Sequence, residues 1–535
     1  MRPKYALISV FNKTGVADDA RRLVKMGWKI ISSGGTAKML MEAKIPVINV
    51  AELVGGGAIL GHRVVTLSRE VHAGLLADPN KPEDLKELDS LVIPLIDLVR
   101  CDFYPLWAAI TDPKATLASV IEKTDIGGPC MVRSGAKGLR IVVCKQENME
   151  KVLQELEATG DVSIEHRQEL RARAEYEVAK YIGQSAMFHG AGKFKVIAGE
   201  KVCEFKGENG PQTPAALFST GSSDPLALEN FKLIEGSAPS YNNWCDVDRL
   251  LQTMTHINAA RELNIGFPPF VALGVKHGNA CGAATADNVF DAVRNAIQGD
   301  TRAIFGGIVM TNFPITVDIA TIMRASVPNE KALFDGVVAP EFSNDAIEIL
   351  ARKKGKCRLM ANPALADCNF AFLDETPRLR QVRGGFMVQP NYNFVLNFLD
   401  PNMTMFGPRN FAAQNSLLLA WAVCATSNSN TITIVKDGML IGNGVGQQDR
   451  VGAAKLAIKR AIDAGHGKKL EGAVACSDSF FPFPDGPKCL IQDGIKAIFS
   501  TSGSINDKEI QDLCVENGVT LYQMPDAEAR GFFGH

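Results

Sequence analysis

The chain has 535 residues, with 57 basic and 59 acidic side chains and a formal net charge of −2. Its 46% hydrophobic and 22% charged residues are the balance of an ordinary globular protein, which excludes disorder as the main state. The near-neutral charge excludes nucleic-acid binding by bulk electrostatics, and no uncharged apolar run approaches the ~18 residues a membrane span needs.

Residues 6–10 read as a buried strand. It follows directly on Met1-Arg2-Pro3-Lys4 and is too short and wrongly flanked for a signal peptide. A helix pattern runs from Val16 to Met26, a second strand over 28–31, and a helix from Ala37 after the loop Ser32-Ser33-Gly34-Gly35-Thr36. Residues 91–98 form a buried run and 141–143 another strand. Strands alternating with helices predict a parallel sheet covered on both faces, with ligands at the carboxyl ends of its strands. Residues 150–185 are charged and helical, with a solvated face. Composition shifts toward Gly, Pro, Ser and Thr around 190–225, which divides the chain into domains 1–195 and 196–535. The second is large enough for two α/β subdomains. No short-period repeat or low-complexity tract is present.

Three glycine-rich stretches sit between a strand and a helix: 32–36, 442–446 before a helix near Arg450, and 500–504 before a helix at Lys508. Free N–H groups and the helix dipole suit such loops to anions; the alternative is a tight turn with a Ser or Thr cap. None is a P-loop, and none completes a dinucleotide fingerprint. Lys276-His277 ends an apolar run. A neighbouring ammonium favours the neutral imidazole that a general base needs, though spacing alone favours a capped strand end with an ordinary surface pair. Cys281 has no feature that favours a nucleophile over a small buried thiol. Asp125-Ile126-Gly127-Gly128, with Arg133 and Lys137 beyond it, suits either a polar anionic ligand or a helix cap with solvated bases. Asn428 and Asn430 are amide partners for a ligand or turn formers. The twelve cysteines include no C-x-x-C pair, which fits reduced thiols in a cytoplasmic protein, and the eight histidines show no metal-binding spacing, so no metal is expected.

In this order these pieces resemble the bifunctional purine-biosynthesis family that combines AICAR transformylase with IMP cyclohydrolase. The resemblance runs nearly end to end. Residues 8–15 resemble the family's opening S-V-x-D-K-T-G; Ser33-Gly34-Gly35-Thr36-Ala37-Lys38, Asp125-Ile126-Gly127-Gly128 and Ala136-Lys137 follow. Then come Ser240-Tyr241-Asn242-Asn243, Lys276-His277 through Cys281-Gly282, Phe305-Gly306-Gly307, Gly446-Gln447-Gln448-Asp449-Arg450, residues 477–483 and a C-terminal His535. The resemblance implies a methylglyoxal-synthase-like parallel-sheet N-terminal domain, a C-terminal transformylase half of two cytidine-deaminase-like subdomains without zinc, and an intertwined homodimer. It implies formyl transfer from 10-formyltetrahydrofolate, as co-substrate, to AICAR, and closure of the product FAICAR to IMP. The partners it implies are these small molecules, with no nucleic acid and no membrane.

The resemblance also implies roles. His277 takes the amine proton, Lys276 tunes it and stabilises negative charge, and Asn430 orients amine and formyl oxygen. Counting back from Lys436 without gaps places the family's site asparagine at Asn430 rather than Asn428. For ring closure, Asp125, Lys137 and Tyr104 carry proton transfer and the Ile126-Gly127 amides hold the oxyanion. Ser9, Lys13, Ser33, Gly34, Gly35, Thr36, Arg63 and Thr66 hold phosphate and ribose. Lys206, Asn243, Arg450 and His535 bind substrate in the second half.

The chain departs from the family pattern at specific places. Val65 stands where the family's R-V-K-T-L-H-P has lysine, Asp102 where it has asparagine, and Phe11 where the opening motif has its second serine. Phe205 replaces an arginine, with Lys206 one place later; Ala280 replaces a proline; and the basic C-terminal pattern is shifted to Arg530. These departures leave two alternatives open: a transformylase with a decayed cyclohydrolase site, or a relative acting on another phosphorylated amino-imidazole.

Overall fold

The computed structural model describes residues 2–61, 63–327 and 332–533. They fall into two compact units that divide between Ala198 and Gly199.

In the first unit, β1 (Tyr5–Ser9), β2 (Lys29–Ser32), β3 (Val47–Asn49), β4 (Leu98–Cys101) and β5 (Ile141–Val143) form a parallel sheet in the order β3-β2-β1-β4-β5. Both faces are covered, as the continuous apolar runs require. Ala6 and Ile8 of β1 pack with Leu23, Val152 and Leu153 on one face, and Leu7 packs with Ile31, Val132 and Ala174 on the other. The chain order reverses between β1 and β4, so the crevice for a ligand opens at the carboxyl ends of those two strands. The charged segment forms the helices Gln146–Thr159 and Ile164–His189, which bury Leu153, Leu156, Leu170, Ala174 and Val178 and turn their charges outward.

Two predicted elements shift. The helix after β2 is Gly34–Glu42, so residues 34–36 are its first turn and not a loop. The run 91–98 is not buried throughout: Val92 is 86% exposed with φ +58, Ile93 and Leu95 pack on Leu88 of the helix Pro82–Ser90, and a strand begins only at Leu98.

In the second unit, β6 (Glu200–Phe205) and β7 (Ala215–Ser219) form a ribbon. Next come β8 (Lys232–Glu235), β9 (Phe270–Lys276), β10 (Asn279–Ala286), β11 (Ile308–Thr311), β12 (Gly336–Ala339) and β13 (Arg358–Ala361). A second ribbon, β14 (Arg378–Val382) and β15 (Gly385–Gln389), precedes β16 (Thr404–Phe406), β17 (Ile432–Lys436), β18 (Met439–Gly444), β19 (Val474–Ser477), β20 (Ala497–Ser502) and β21 (Thr520–Pro525). Outside the ribbons the described strands form one twelve-stranded sheet, β16-β21-β20-β19-β17-β18-β10-β9-β11-β12-β13-β8.

That order is a duplication. Each half has an antiparallel hairpin (β9–β10, β17–β18), then three mutually parallel strands (β11–β13, β19–β21), then an antiparallel edge strand (β8, β16). The halves join where β10 pairs antiparallel with β18. The helix before each hairpin, Tyr241–Ile265 or Gln414–Ala425, lies in the shared core, with Val247, Leu250, Met254 and Ile257 packed with Leu418 and Trp421. The second helix is apolar all round because it is buried all round.

The glycine stretch 442–446 is also corrected. Gly442 and Gly444 lie inside buried β18 and not in an anion-binding loop. A Cβ at Gly444 would strike the Ala453 carbonyl, and one at Gly442 the Ala457 carbonyl, both on the helix Arg450–Asp463. The glycines admit that helix. Gly444→Ala is expected to destabilise the second unit by about 1–3 kcal/mol, read as a lowered midpoint in urea. At 500–504, β20 extends to Ser502, and the Gly503 N–H donates to Asp507 at 2.7 Å, which closes the turn.

Candidate active sites

In the first unit several predicted residues lie at the carboxyl ends of β1 and β2 and at the start of the helix Gly127–Lys137. Ser9 ends β1. The helix Gly34–Glu42 starts at the end of β2, and Ser33 at its cap makes no capping hydrogen bond, so the cap leaves the first-turn N–H groups to other acceptors. Thr36 serves the fold: its hydroxyl donates to the Val10 carbonyl at 3.1 Å and accepts the Val10 N–H at 3.2 Å. The Lys13 ammonium donates to the Val10 carbonyl and, at 3.4 Å, to that of Phe11; burial pulls it below its ordinary value, opposed by Asp102.

Asp102 is taken up by the backbone. Its carboxylate accepts the N–H groups of Phe11 and Asn12, the second at 3.3 Å, and so clamps the loop after β1. Phe11 sets its ring edge-on to Tyr104, centroids 5.6 Å apart. Asp102 and Tyr104 line a cavity of about 230 Å³.

Asp125 sits at the start of the helix Gly127–Lys137, with the Gly128 N–H donating to it at 3.0 Å. Its own N–H donates to the Tyr181 hydroxyl at 2.7 Å. Burial pushes its carboxyl above the usual carboxylate range, against the N–H groups of Gly128, Tyr104 and Gly127. The Gly127 amide, one of the two expected to hold the oxyanion, therefore faces the Asp125 carboxylate. Ile126 precedes the helix with its side chain exposed. Thr66 abuts Gly127, its hydroxyl oxygen 2.8 Å from where a Cβ would stand.

Two predicted residues are not brought in. Arg63 is exposed and paired with Glu122 at 3.1 Å. Lys137 ends the helix that Gly127 begins; ten residues of rise put it about 15 Å along the axis from the Asp125 end, facing solvent.

In the second unit the β9–β10 hairpin turns at His277 and Gly278, with φ of +55 and +71, a left-handed pair that suits glycine in the second place. The Lys276 ammonium donates to the Phe305 carbonyl at 2.7 Å. Under the turn, Asp246 of the helix Tyr241–Ile265 accepts the Gly278 N–H at 2.7 Å. Burial pushes the Asp246 carboxyl up; the N–H groups of Gly278 and His277 and the nearby Arg249 guanidinium oppose this. Lys276 and His277 line a cavity of about 630 Å³, with Arg302, Lys459 and Arg460 on other walls. Cys281 also lines it, and burial pushes its thiol up to about 12, which disfavours the thiolate.

Asn279 ties the hairpin to the asparagine loop: its side-chain oxygen accepts the Asn428 N–H at 3.4 Å. In that loop the Asn430 side-chain amide donates to the Gln447 carbonyl at 2.9 Å, and the two backbones exchange hydrogen bonds. Phe533 then lies against the loop. Its N–H donates to the Ser427 carbonyl at 3.0 Å, and its ring sits between the guanidinium groups of Arg249 and Arg378, at 4.1 and 4.0 Å. His535 lies outside the described residues.

Two further predicted binders hold the fold. Asn243 completes a capping box with Ser240, accepting its N–H at 3.0 Å. Arg450 pairs with Asp478, whose side chain is 0% exposed and which also accepts the Thr431 N–H at 3.1 Å. Lys206 is exposed, and its carbonyl accepts the Tyr241 N–H, so it stands at the N-terminus of the Asp246 helix. Sequence reasoning missed Asp246, Tyr181 and Asp478. The signal for Asp246 was its spacing, three residues after Asn243 and therefore on the same helix face. Among the described residues no cluster of three or more His, Cys, Asp or Glu side chains is placed to hold a metal ion, and no helix is long and apolar enough to cross a membrane.

A parallel α/β unit with its crevice at the strand-order switch, joined to a duplicated-sheet unit with a lysine–histidine hairpin on a cavity, defines a two-site α/β enzyme. The family comparisons are specific. The AICARFT/IMPCHase bienzyme family matches residues 137–460, and the MGS-like domain matches residues 15–130. The bifunctional purine biosynthesis protein PurH of Trichormus variabilis is 35% identical over 525 residues, covering 97% of this chain and 98% of its own. That of Acetivibrio thermocellus is 34% identical and that of Staphylococcus aureus 32%, with the same coverage. The chain belongs to the AICARFT/IMPCHase bienzyme family.

Proposed function

We propose that the second unit transfers the formyl group of 10-formyltetrahydrofolate to AICAR and that the first closes the product, FAICAR, to IMP, in a cytoplasmic homodimer. The observation that carries this reading is the His277 turn, held by Asp246 and Lys276 on the wall of a cavity and joined through Asn279 to the Asn430 loop.

The AICAR amine is conjugated with its ring and is a weak nucleophile. As it attacks the formyl carbon, a C–N bond forms, an oxyanion develops and the nitrogen gains positive charge. His277 takes the amine proton, and the ammonium of Lys276 stabilises the oxyanion. Collapse breaks the bond to the folate nitrogen, which leaves as tetrahydrofolate with a proton. Asn430 orients the amine and the formyl oxygen. With Phe205 in place of arginine, Lys206 at the head of the Asp246 helix is the cation for the nucleotide phosphate; it meets it as a point charge and not as a fork.

In the first unit the open start of the helix Gly34–Glu42, with Ser33 and Lys13, holds the phosphate. The carboxamide nitrogen attacks the formyl carbon of its own molecule, and the carbinol loses water. Asp125 and Tyr104 move the protons. The raised Asp125 carboxyl suits an acid that must also act as a base.

A mass-spectrometric time course with purified protein, AICAR and 10-formyltetrahydrofolate tests this. The expected result is IMP accumulating faster than free FAICAR closes on its own. FAICAR accumulating alone removes the ring-closing half, and no product at all refutes the substrate.

A further inference from the structure

The duplicated sheet contains an internal control for the His277 turn. The second half carries the same hairpin at Lys436-Asp437-Gly438, again with two left-handed residues, φ +49 and +70. Its lysine is anchored like Lys276: Lys436 donates to the Gly472 carbonyl at 3.2 Å. Its turn glycine is also held from the preceding helix, where the Gly438 N–H donates to the Ser416 hydroxyl at 3.1 Å. The two turns differ at the residue before the glycine, at the residue after it (Asn279 against Met439) and at the side chain that holds the glycine. A turn histidine accompanies a carboxylate that holds the glycine N–H in one, and a turn aspartate accompanies a neutral hydroxyl that holds it in the other. A hydroxyl is therefore enough to hold this turn. A buried carboxylate is a costly way to do the same thing, because burial disfavours its charge.

We propose that Asp246 is a positioning residue for formyl transfer, whose negative charge beneath the His277–Gly278 turn stabilises the imidazolium that His277 becomes on taking the amine proton. This rests on the reading of His277 as the base. Lys276 beside it and Arg249 one turn along the helix carry the opposing charges, and both are engaged by carbonyl oxygens, of Phe305 and of Thr426 and Phe533. Ser416 shows that the turn does not itself require the charge.

The test is Asp246→Ser and Asp246→Asn, each alone and with His277→Ala, assayed for formyl transfer with AICAR binding followed by calorimetry. Both single variants are expected to bind AICAR as the native chain does, with KM within about twofold and kcat lowered about ten- to hundredfold. On the His277→Ala background neither is expected to lower the rate further. Native kcat in the Asp246→Ser chain, or a loss that multiplies with that of His277→Ala, overturns the proposal. Asp246→Asn keeps shape and an acceptor oxygen, so it answers the question if the serine variant does not fold. His277→Ala alone with an undiminished rate would refute the site reading, a result distinct from either of these.

Discussion

Replacing His277 with alanine is expected to lower formyl transfer to AICAR by about 10²–10⁴-fold and to leave closure of supplied FAICAR unchanged. The size follows from the chemistry. The amine enters the reaction neutral and weak and becomes a strong acid as its bond to the formyl carbon forms. A base within reach at that moment spares the enzyme an ammonium-like intermediate. The turn holds His277 from three sides: Lys276 fixed to Phe305, the Gly278 N–H fixed to Asp246, and the His277 carbonyl accepting from Asn279 at 3.2 Å. Alanine takes away the imidazole and leaves these backbone contacts, so AICAR KM is expected to change much less than kcat. Added imidazole is expected to restore part of the rate at the truncated site. An unchanged kcat would show that the proton leaves by another route and that the hairpin is only a wall of the cavity.

The first sheet was legible because its strands are buried on both faces and so appear as uninterrupted apolar runs. The failure at 91–98 has the same origin: an apolar run does not say whether it pairs or merely packs, and its first half caps a helix. Gly442 and Gly444 were misread although their spacing of two puts them on one face of a strand, where both meet the same helix. The duplication left almost no trace in residue identity, because what the halves share is topology and a turn. Lys276-His277-Gly278 and Lys436-Asp437-Gly438 are its visible remnant. The lysine–histidine pair was readable as chemistry; its support was not, since Asp246 is thirty-one residues away from His277 in the chain and meets it only through the fold. Motif matching placed Lys137 with Asp125, but the helix between them separates the two. Asn243 and Arg450 carried motif identity and turned out to hold a helix cap and a buried ion pair.

Val65→Lys is expected to raise ring closure of FAICAR by about tenfold or more, with formyl transfer unaffected. Val65 is half-buried against the cluster that contains Leu7, Ile31 and Val71, and it precedes Thr66, whose hydroxyl abuts Gly127. It stands where the family pattern has lysine. Valine ends in methyl groups and supplies neither charge nor proton. The other residues proposed for this site keep defined contacts: Asp125 is held by Gly128 and Tyr181, Tyr104 lies against Phe11, and Lys13 is drawn into the loop after β1. A lysine at 65 can lay its four-carbon stem along the apolar cluster and keep its ammonium in the crevice, so the stability cost is expected to stay below about 1.5 kcal/mol. Its charge would then meet the oxyanion that forms when the carboxamide nitrogen reaches the formyl carbon, where the Asp125 carboxylate now takes up the nearby amides. Val65→Met separates charge from reach, because it extends an uncharged chain in the same direction and is expected to give no gain. Equal rates for native, lysine and methionine chains, measured on supplied FAICAR against its spontaneous closure, would mean that Phe11 and Asp102 have rebuilt the crevice around Lys13 and that position 65 no longer belongs to it.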